Sequence, residues 1–284
     1  MRIGIVYSLN DIAAVGIVNE LLQGMTCNKD YFSTDDVDGA LLCRFNTFEV
    51  VLLEFDKEVV FLDELELKGN TDFIIIPSRH ESSAHIKSFT VHTPGNPWKR
   101  SDFGGRPMCL STSNPILKWY MLQELYRLKQ YYPTLASFSV SYEVTHHGPT
   151  TPSKSVTFVE IGGSEKEWSN AEAHRVVASA IKGALTHFIK DQDTRPCIVS
   201  VGFGGNHYAS LFTKRAFEKN ECYGHMVPNY AIKELTLEDL KIVAEMAIQL
   251  TPGARRVVIE KMRSELKNVI VHTARSFGLE VITV

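Results

Sequence analysis

Two histidines stand side by side in "SYEVTHHGPT", residues Ser141 to Thr150, with a carboxylate, Glu143, three residues before the first. Neighbouring side chains on a strand point to opposite faces, so a plain core strand has little use for His146 and His147 together. The pair precedes Gly148-Pro149, where a strand must end. Other histidines share this setting. His80, His85 and His92 lie in "PSRHESSAHIKSFTVHTPGN", His207 in "VGFGGNHYA" and His225 in "YGHMVPNY". Most of these seven, out of ten in the chain, follow an apolar strand and precede or sit within Gly/Pro-rich sequence. Strand ends form the ligand crevice of open α/β sheets, and loops there gather residues distant in sequence. A single histidine so placed is more often a hydrogen-bonded structural residue than a ligand. The recurrence is what marks a site.

Three chemistries suit these residues. Neutral imidazoles and carboxylates are zinc ligands, and without a Cys-rich set such a site would be open and catalytic. No HExxH spacing supports it. One histidine oriented by Glu143 or Glu160 would instead serve as a metal-free general base. The third chemistry is anion binding. "GFGGNH" and "EIGGSEKEW" each put paired glycines after a strand, and Ser164 with Glu167 forms a capping-box pattern. A helix N-terminus there would offer backbone N–H groups to phosphate or carboxylate. Neither glycine pair has P-loop or dinucleotide spacing, and each reads equally well as a tight turn. "SRHESS" and "TVHTPGNPWKRSDFGGRPM" add hydroxyls, arginines and Trp98, a set that can hold a ribose-phosphate or simply form a solvated loop.

The elements that must position these groups alternate along the chain. "RIGIVYS" reads as a first strand, followed by a helix that stops at Gly24. "FEVVLLEFD", "DFIIIPSR", "SFTVHT", "RPMCLS", "FSVSYEVTH", "SVTFVEIGG" and "PCIVSVGFGG" read as further strands. Asn114-Pro115 opens a helix to about Gln130 as cap and first-turn proline. Ser169 to Lys190 carries the clearest apolar stripe, through Val176, Val177, Ala180, Ile181, Ala184, Leu185 and Phe188. Helices are expected near Leu237–Leu250 and Ala254–Ser276, then a last strand, "LEVITV". This mixture predicts an α/β protein with a mixed sheet covered by helices on both faces. No repeat or linker interrupts it, so residues 1–284 read as a single domain.

Composition limits what the protein can be. The 284 residues are 44% hydrophobic and 22% charged, an ordinary balance for a folded chain. The net charge of −3 argues against a protein that coats nucleic acid. Residues 79–133 nonetheless hold eight Lys/Arg against three Asp/Glu, a local +5. Five cysteines at wide spacing, three of them in apolar runs, read as free thiols in a reducing compartment. The first apolar run is too short for a signal peptide, and no run approaches a membrane span. The location expected is cytoplasmic.

Taken together, "SRHESS", "TVHTPGN", "YEVTHHGPT", "FVEIGGSEKEW", "VGFGGNHYA" and "GHMVPNY" resemble, in order, the archaeal and plant type of D-aminoacyl-tRNA deacylase. The resemblance spans about residues 78 to 230. It implies a phosphorylase/hydrolase-like α/β fold related to peptidyl-tRNA hydrolase. It implies cytosolic hydrolysis of the ester between a D-amino acid and the tRNA 3′ end, as quality control, with zinc as cofactor and aminoacylated tRNA as partner. A monomer is expected. On this reading His146, His147, Glu143 and Arg79 are the catalytic candidates, and His80, His207 and His147 the metal ligands. Arg79 or a glycine N–H from Gly204–Gly205 would receive the oxyanion. Lys87, Lys99, Arg100 and Arg106, with Gly204, Gly205 and Ser164, would hold the tRNA phosphates. The alternatives are a peptidyl-tRNA hydrolase or nucleoside phosphorylase of the same fold, or a non-catalytic module for RNA ends.

Overall fold

The computed structural model describes residues 1–34, 37–45, 48–63, 71–150, 154–191, 194 and 196–284, without the side chains between 28 and 40. The chain starts with β1 (Arg2–Ser8), α1 (Ile12–Leu22), β2 (Thr26–Thr34), β3 (Val37–Phe45) and β4 (Phe48–Phe55). Next come β5 (Phe73–Glu81), β6 (Ser88–His92), β7 (Gly95–Asn96), β8 (Cys109–Leu110), α2 (Pro115–Lys129) and β9 (Ser139–Tyr142). Then β10 (Ser155–Gly163), α3 (Glu165–Trp168), α4 (Ala171–Lys190), β11 (Ile198–Phe203), α5 (Ser210–Glu218) and β12 (Glu221–Val227) follow. The chain closes with α6 (Asn229–Ile232), α7 (Leu237–Gln249), β13 (Arg256–Ile259), α8 (Ser264–Ser276) and β14 (Glu280–Thr283).

These strands build two main sheets instead of one. The larger has eight strands in the order β2-β3-β4-β1-β5-β10-β6-β9 and is mixed. Its centre, β4-β1-β5-β10, is parallel, whereas β6 runs antiparallel to β10. The smaller, β12-β11-β13-β14, is wholly parallel. Alternation splits the central strands cleanly. Ile3, Ile5, Ile75, Val159 and Ile161 belong to a core with α1, α2 and α4, through residues such as Ile17, Met121 and Ile181. Val6, Ile74, Ile76, Val156 and Phe158 face the other way and meet Val59 and Leu62. The expected helix layer on both faces of one sheet is therefore corrected. The second face of the large sheet is closed, among the described residues, by a short 3-10 turn at Val59–Phe61. The small sheet has its own apolar core with α7 and α8, including Phe203, Leu240, Val257 and Ile270.

Helix ends follow their local chemistry. Asp11 Oδ1 accepts from Ala13 N and Ala14 N at 2.9 and 3.0 Å and so caps α1. Asn114 caps α2, with Pro115 in its first turn. Ser164 and Glu167 form the expected capping box on α3, after which Asn170 starts α4 afresh. The helix expected over Ala254–Ser276 is instead β13 followed by α8. The run Val257-Val258-Ile259 is β-branched and alternates, sending Val257 and Ile259 into the small sheet's core and Val258 into the larger one. The strand β12 and helix α5 were not foreseen.

The cysteine reading is also corrected. Cys27 pairs with Cys43 and Cys197 with Cys222, leaving Cys109 free. Cross-strand neighbours cause the first pair, since Cys27 lies opposite Cys43 in the β2–β3 ladder. Val199 on β11 pairs with Cys222 on β12, two residues along from Cys197. Such pairs also occur inside the cells of hyperthermophiles, so they do not decide the compartment. Among the described residues, no helix is long and apolar enough to cross a membrane.

Candidate active site

The site forms where the second face of the large sheet runs past its apolar part. On β5 the alternation Ile74, Ile76, Ser78, His80 carries one face from core to cavity. The parallel register sets Ser78 against Glu160 on β10, and Ser78 Oγ donates to Glu160 Oε1 at 2.6 Å. On the other side of β10, β6 places Thr90 opposite Glu160 and His92 opposite Phe158. The sheet thus aligns His80, Glu160 and His92 on one surface.

The remaining members arrive from loops. The chain leaves β9 at Tyr142, and Glu143 to Gly148 threads between the two sheets. Thr145 N donates to Met226 O of β12, and Gly95 N donates to His147 O at 2.7 Å. Val144 N donates to His207 O, tying this loop to the one after β11. His147 has φ +47°, in the left-handed region, so its backbone does not hold neighbouring side chains on opposite faces. That is why adjacent histidines can serve one pocket. Their ring centroids lie 4.3 Å apart, and both line a cavity of about 860 Å³ with His80, Glu160 and His207.

Glu143 is the hub. It is fully buried, 3.2 Å from His80 Nδ1, 3.2 Å from His207 Nε2 and 3.5 Å from His146 Nε2. These are close approaches without hydrogen-bond geometry. Both Glu143 carboxylate oxygens, His92 Nδ1 and His207 Nε2 are buried polar atoms with no hydrogen-bond partner. A native core seldom leaves so many polar atoms unsatisfied together. His146 Nδ1 lies 2.8 Å from Val144 O and His147 Nδ1 2.6 Å from Gly148 O. Each carbonyl accepts from the Nδ1–H and leaves Nε2 with its lone pair, as carbonyls behind metal-ligating imidazoles do. His147 Nε2 faces His92 Nε2 at 3.2 Å, a contact that needs a proton or a cation between two nitrogens.

Electrostatics sorts the rings. Burial holds His92 and His146 well below the usual imidazole value, and neighbouring imidazoles push the same way. Burial also lowers His147 to about 4. All three are neutral near pH 7, as ligands must be. For His80 burial works downward, but Glu143 and Glu160 prevail and raise it to about 9. Three sets of donor atoms each fall within 4.8 Å: His92, His146 and His147; His80, Glu143 and His207; His92, Glu143 and Glu160.

A family model described as D-aminoacyl-tRNA deacylase matches residues 67–282. The chain belongs to this family. Its relatives include a D-aminoacyl-tRNA deacylase of Staphylothermus marinus, 36% identical with 97% of each chain covered. Another, from Aeropyrum pernix, is 32% identical with 99% of each covered. A third, from Methanocaldococcus jannaschii, is 34% identical over 81% of each. A crystal structure of a conserved protein of unknown function superposes with a TM-score of 0.83 at 30% identity, covering 100% of this chain and 95% of that one.

Within this deacylase-family fold, the residues singled out by sequence separate into groups. Glu143, His80, His146, His147 and His207 converge. Arg79 lines the same cavity, but its guanidinium donates to Glu58 Oε1 at 2.8 Å, and its backbone N–H to Asp11. Gly204 is a corrected assignment for oxyanion binding, because its N–H donates to Val227 O at 2.8 Å. Gly205 turns the chain at φ +80°, and its carbonyl accepts from Asn229 N. Ser164 is likewise corrected as a phosphate donor, since its N–H and hydroxyl both go to Glu167 Oε2. Lys87 pairs with Glu167, Lys99 with Asp239 and Arg100 with Glu234. Arg106 is exposed. His225, buried between Thr145 Oγ1 and Ser111 O, is structural. His92, one of the recurrent histidines, and Ser78, in "SRHESS", were given no role in the site. Their place in it comes from the register that sets His92 opposite Phe158 and Ser78 opposite Glu160.

Proposed function

We propose that this chain hydrolyses the ester joining a D-amino acid to the 3′ end of tRNA, releasing both, as a quality-control enzyme of translation. The observation that carries this reading is the buried Glu143 with its unsatisfied oxygens, ringed by imidazoles that line a cavity, in a chain of this family. A peptidyl-tRNA hydrolase, a nucleoside phosphorylase or a binding module has no equal support. Residues 1–284 act as one unit on this reading, because α2 packs on α4 of the large sheet and on β12 of the small one.

The donor set suits zinc. Imidazole and carboxylate are its ligands, no thiolate is among them, and the unpartnered atoms are those a cation would satisfy. His92, His146 and His147 would hold it as one set, or His80, Glu143 and His207 as another. When bound, zinc would supply a water with a pKa of about 7 and would polarise the ester carbonyl.

The chain's own groups do the rest. Carbonyls of Val144 and Gly148 fix the tautomers of His146 and His147. Ser78 orients Glu160, which leaves its Oε2 toward His80 at 3.5 Å. Glu143 accepts a proton at a carboxylate oxygen or holds His80 and His207 in place. Tyr208, whose hydroxyl lies 3.3 Å from His80 Nε2, packs edge-on against the His80 ring. The ester is an activated one, so an oriented water with a base contributes a large part, roughly 10²–10⁴-fold.

The test compares release of amino acid from D-Tyr-tRNA and L-Tyr-tRNA, with and without chelator. Fast release from the D-substrate alone is expected, with loss on chelation and recovery on adding zinc. Equal rates on both substrates, or none from a folded, zinc-supplied sample, would reject the reading. Unchanged turnover after exhaustive chelation would reject zinc and leave a metal-free base. Circular dichroism of the chelated sample separates loss of metal from unfolding.

A further inference from the structure

The cavity lining is of two chemical kinds. Histidines and carboxylates make up the first. The second is aromatic: Trp98, Phe103 and Tyr230 line the same space. Trp98 and Tyr230 come from segments more than a hundred residues apart, yet their ring centroids lie 5.8 Å apart at 50°. Tyr230 is 38% exposed and Phe103 69% exposed, so aromatic surface stays open where they line the cavity.

The pairing is held by more than the rings. Lys99 and Arg100 follow Trp98 and reach Asp239 and Glu234 at 2.6 and 3.0 Å. Those carboxylates lie just beyond Tyr230, on α7 and in the turn after α6. The ion pairs therefore clamp the loop bearing Trp98 to the segment bearing Tyr230. Exposed pairs add little stability in isolation. Two of them across one aromatic contact can still fix its register.

We propose that Trp98 and Tyr230 form the stacking platform for the base of the terminal nucleotide of tRNA. This rests on the tRNA-ester reading above and extends it to a second subsite. The cavity lies in the size range that encloses a ligand of drug-like size, larger than an aminoacyl group alone. If the ester sits among the imidazoles, the nucleoside must rest against other lining, and Trp98, Phe103 and Tyr230 are the flat apolar surface offered. Single-stranded nucleic-acid ends are commonly held in this way, by stacking on aromatics.

The test uses binding and turnover together. Uncharged tRNA with its terminal base is compared with the same tRNA made abasic at its last nucleotide. Loss of one stacked base should weaken binding by about 5- to 150-fold. Trp98→Ala should cause a similar loss for the normal tRNA and make the two tRNAs bind alike. It should raise KM for D-Tyr-tRNA and D-Ala-tRNA equally, with kcat retained at saturation, and Trp98→Phe should restore most of the affinity. If Trp98→Ala does not fold, Tyr230→Ala is read in the same way. A base preference that survives both variants overturns the platform. A loss confined to D-Tyr-tRNA overturns it too, since the aromatic lining would then hold the amino-acid side chain. Wild-type turnover of D-Tyr-tRNA keeps the two readings apart: turnover without a base preference removes the platform alone, whereas no turnover removes the reading beneath it.

Discussion

Glu143 and His147 show how far single residues can be read. Their types and spacing pointed to a site, because two adjacent imidazoles before Gly-Pro have no use in a plain strand. Their convergence with His80 and His207 depends on a left-handed residue at position 147 and on hydrogen bonds between loops, neither of which spacing encodes. His92 was legible as one of the recurrent histidines, but its role was not, since that arises from the register that sets it opposite Phe158 and near Glu160. Glu143→Gln tests the hub. The change keeps shape and removes a buried charge, so the fold should survive. Turnover of D-aminoacyl-tRNA should fall by roughly 100-fold or more, in line with loss of a base or ligand. His147→Ala should fall by a similar factor. Single-turnover rates, zinc content and unfolding midpoints are measured on each variant. A near wild-type rate in Glu143→Gln with zinc retained would reduce Glu143 to a brace.

Elements were most legible where caps and periodicity agreed. The helices opened by Asn114 and Asn170 carry side-chain caps, and α4 has a long apolar stripe. The segment after Ala254 failed because "ARRVVIEKMRSELKNVIV" supports both periods locally, and only the small sheet's need for a strand beside β11 decides it. The strand β12 was hidden by Glu221 and His225, polar residues in a buried strand. Glu221 is tolerated there because Arg215 and Arg256 both donate to it. The turn at α3 gives a prediction at this scale. The Ser164 hydroxyl holds the Glu167 carboxyl down to about 2, with burial opposing and Lys87 assisting. The folded value lies below the ordinary 4.5, so this contribution is complete above about 4.5 and is lost as pH falls through about 2. Glu167→Gln should therefore be less stable than wild type at pH 7, with the gap closing toward pH 2. Ser164→Ala should cost about 1 kcal/mol at neutral pH. Urea titrations across this pH range measure both. The KM for aminoacyl-tRNA should not change in Ser164→Ala, because its donors already serve Glu167 and not a phosphate.

At the scale of the molecule, composition limited the possibilities but not the architecture. An α/β fold was legible, whereas the division into two sheets was not, because register and strand partner are set by long-range packing. The same limit applies to charge. The +5 over residues 79–133 suggests a cationic face for RNA. Folding spends most of it: Lys118 is fully buried, with burial lowering it to about 7, and Arg79, Lys87, Lys99, Arg100 and Arg127 meet carboxylates. A cation already paired within the protein releases few counterions when a phosphate arrives, since its own carboxylate must be displaced first. Arg106 differs, being exposed and in no ion pair among the described residues. The slope of log affinity against log salt for tRNA should therefore drop by about 0.7–0.9 in Arg106→Ala. It should change little in Arg79→Ala, whose guanidinium is bound to Glu58. Lys99→Ala and Arg100→Ala should weaken binding by loosening the loop that carries Trp98, at nearly constant slope. Affinities of uncharged tRNA between 50 and 200 mM salt, a range of about fourfold in which such slopes are readily measured, decide the matter. Equal slope changes in all four variants would mean that the internal ion pairs open on binding and that the whole stretch faces the RNA backbone. An unchanged slope in Arg106→Ala would move the phosphate contacts elsewhere, with the exposed Arg263 and Lys261 before α8 as the next surface to probe.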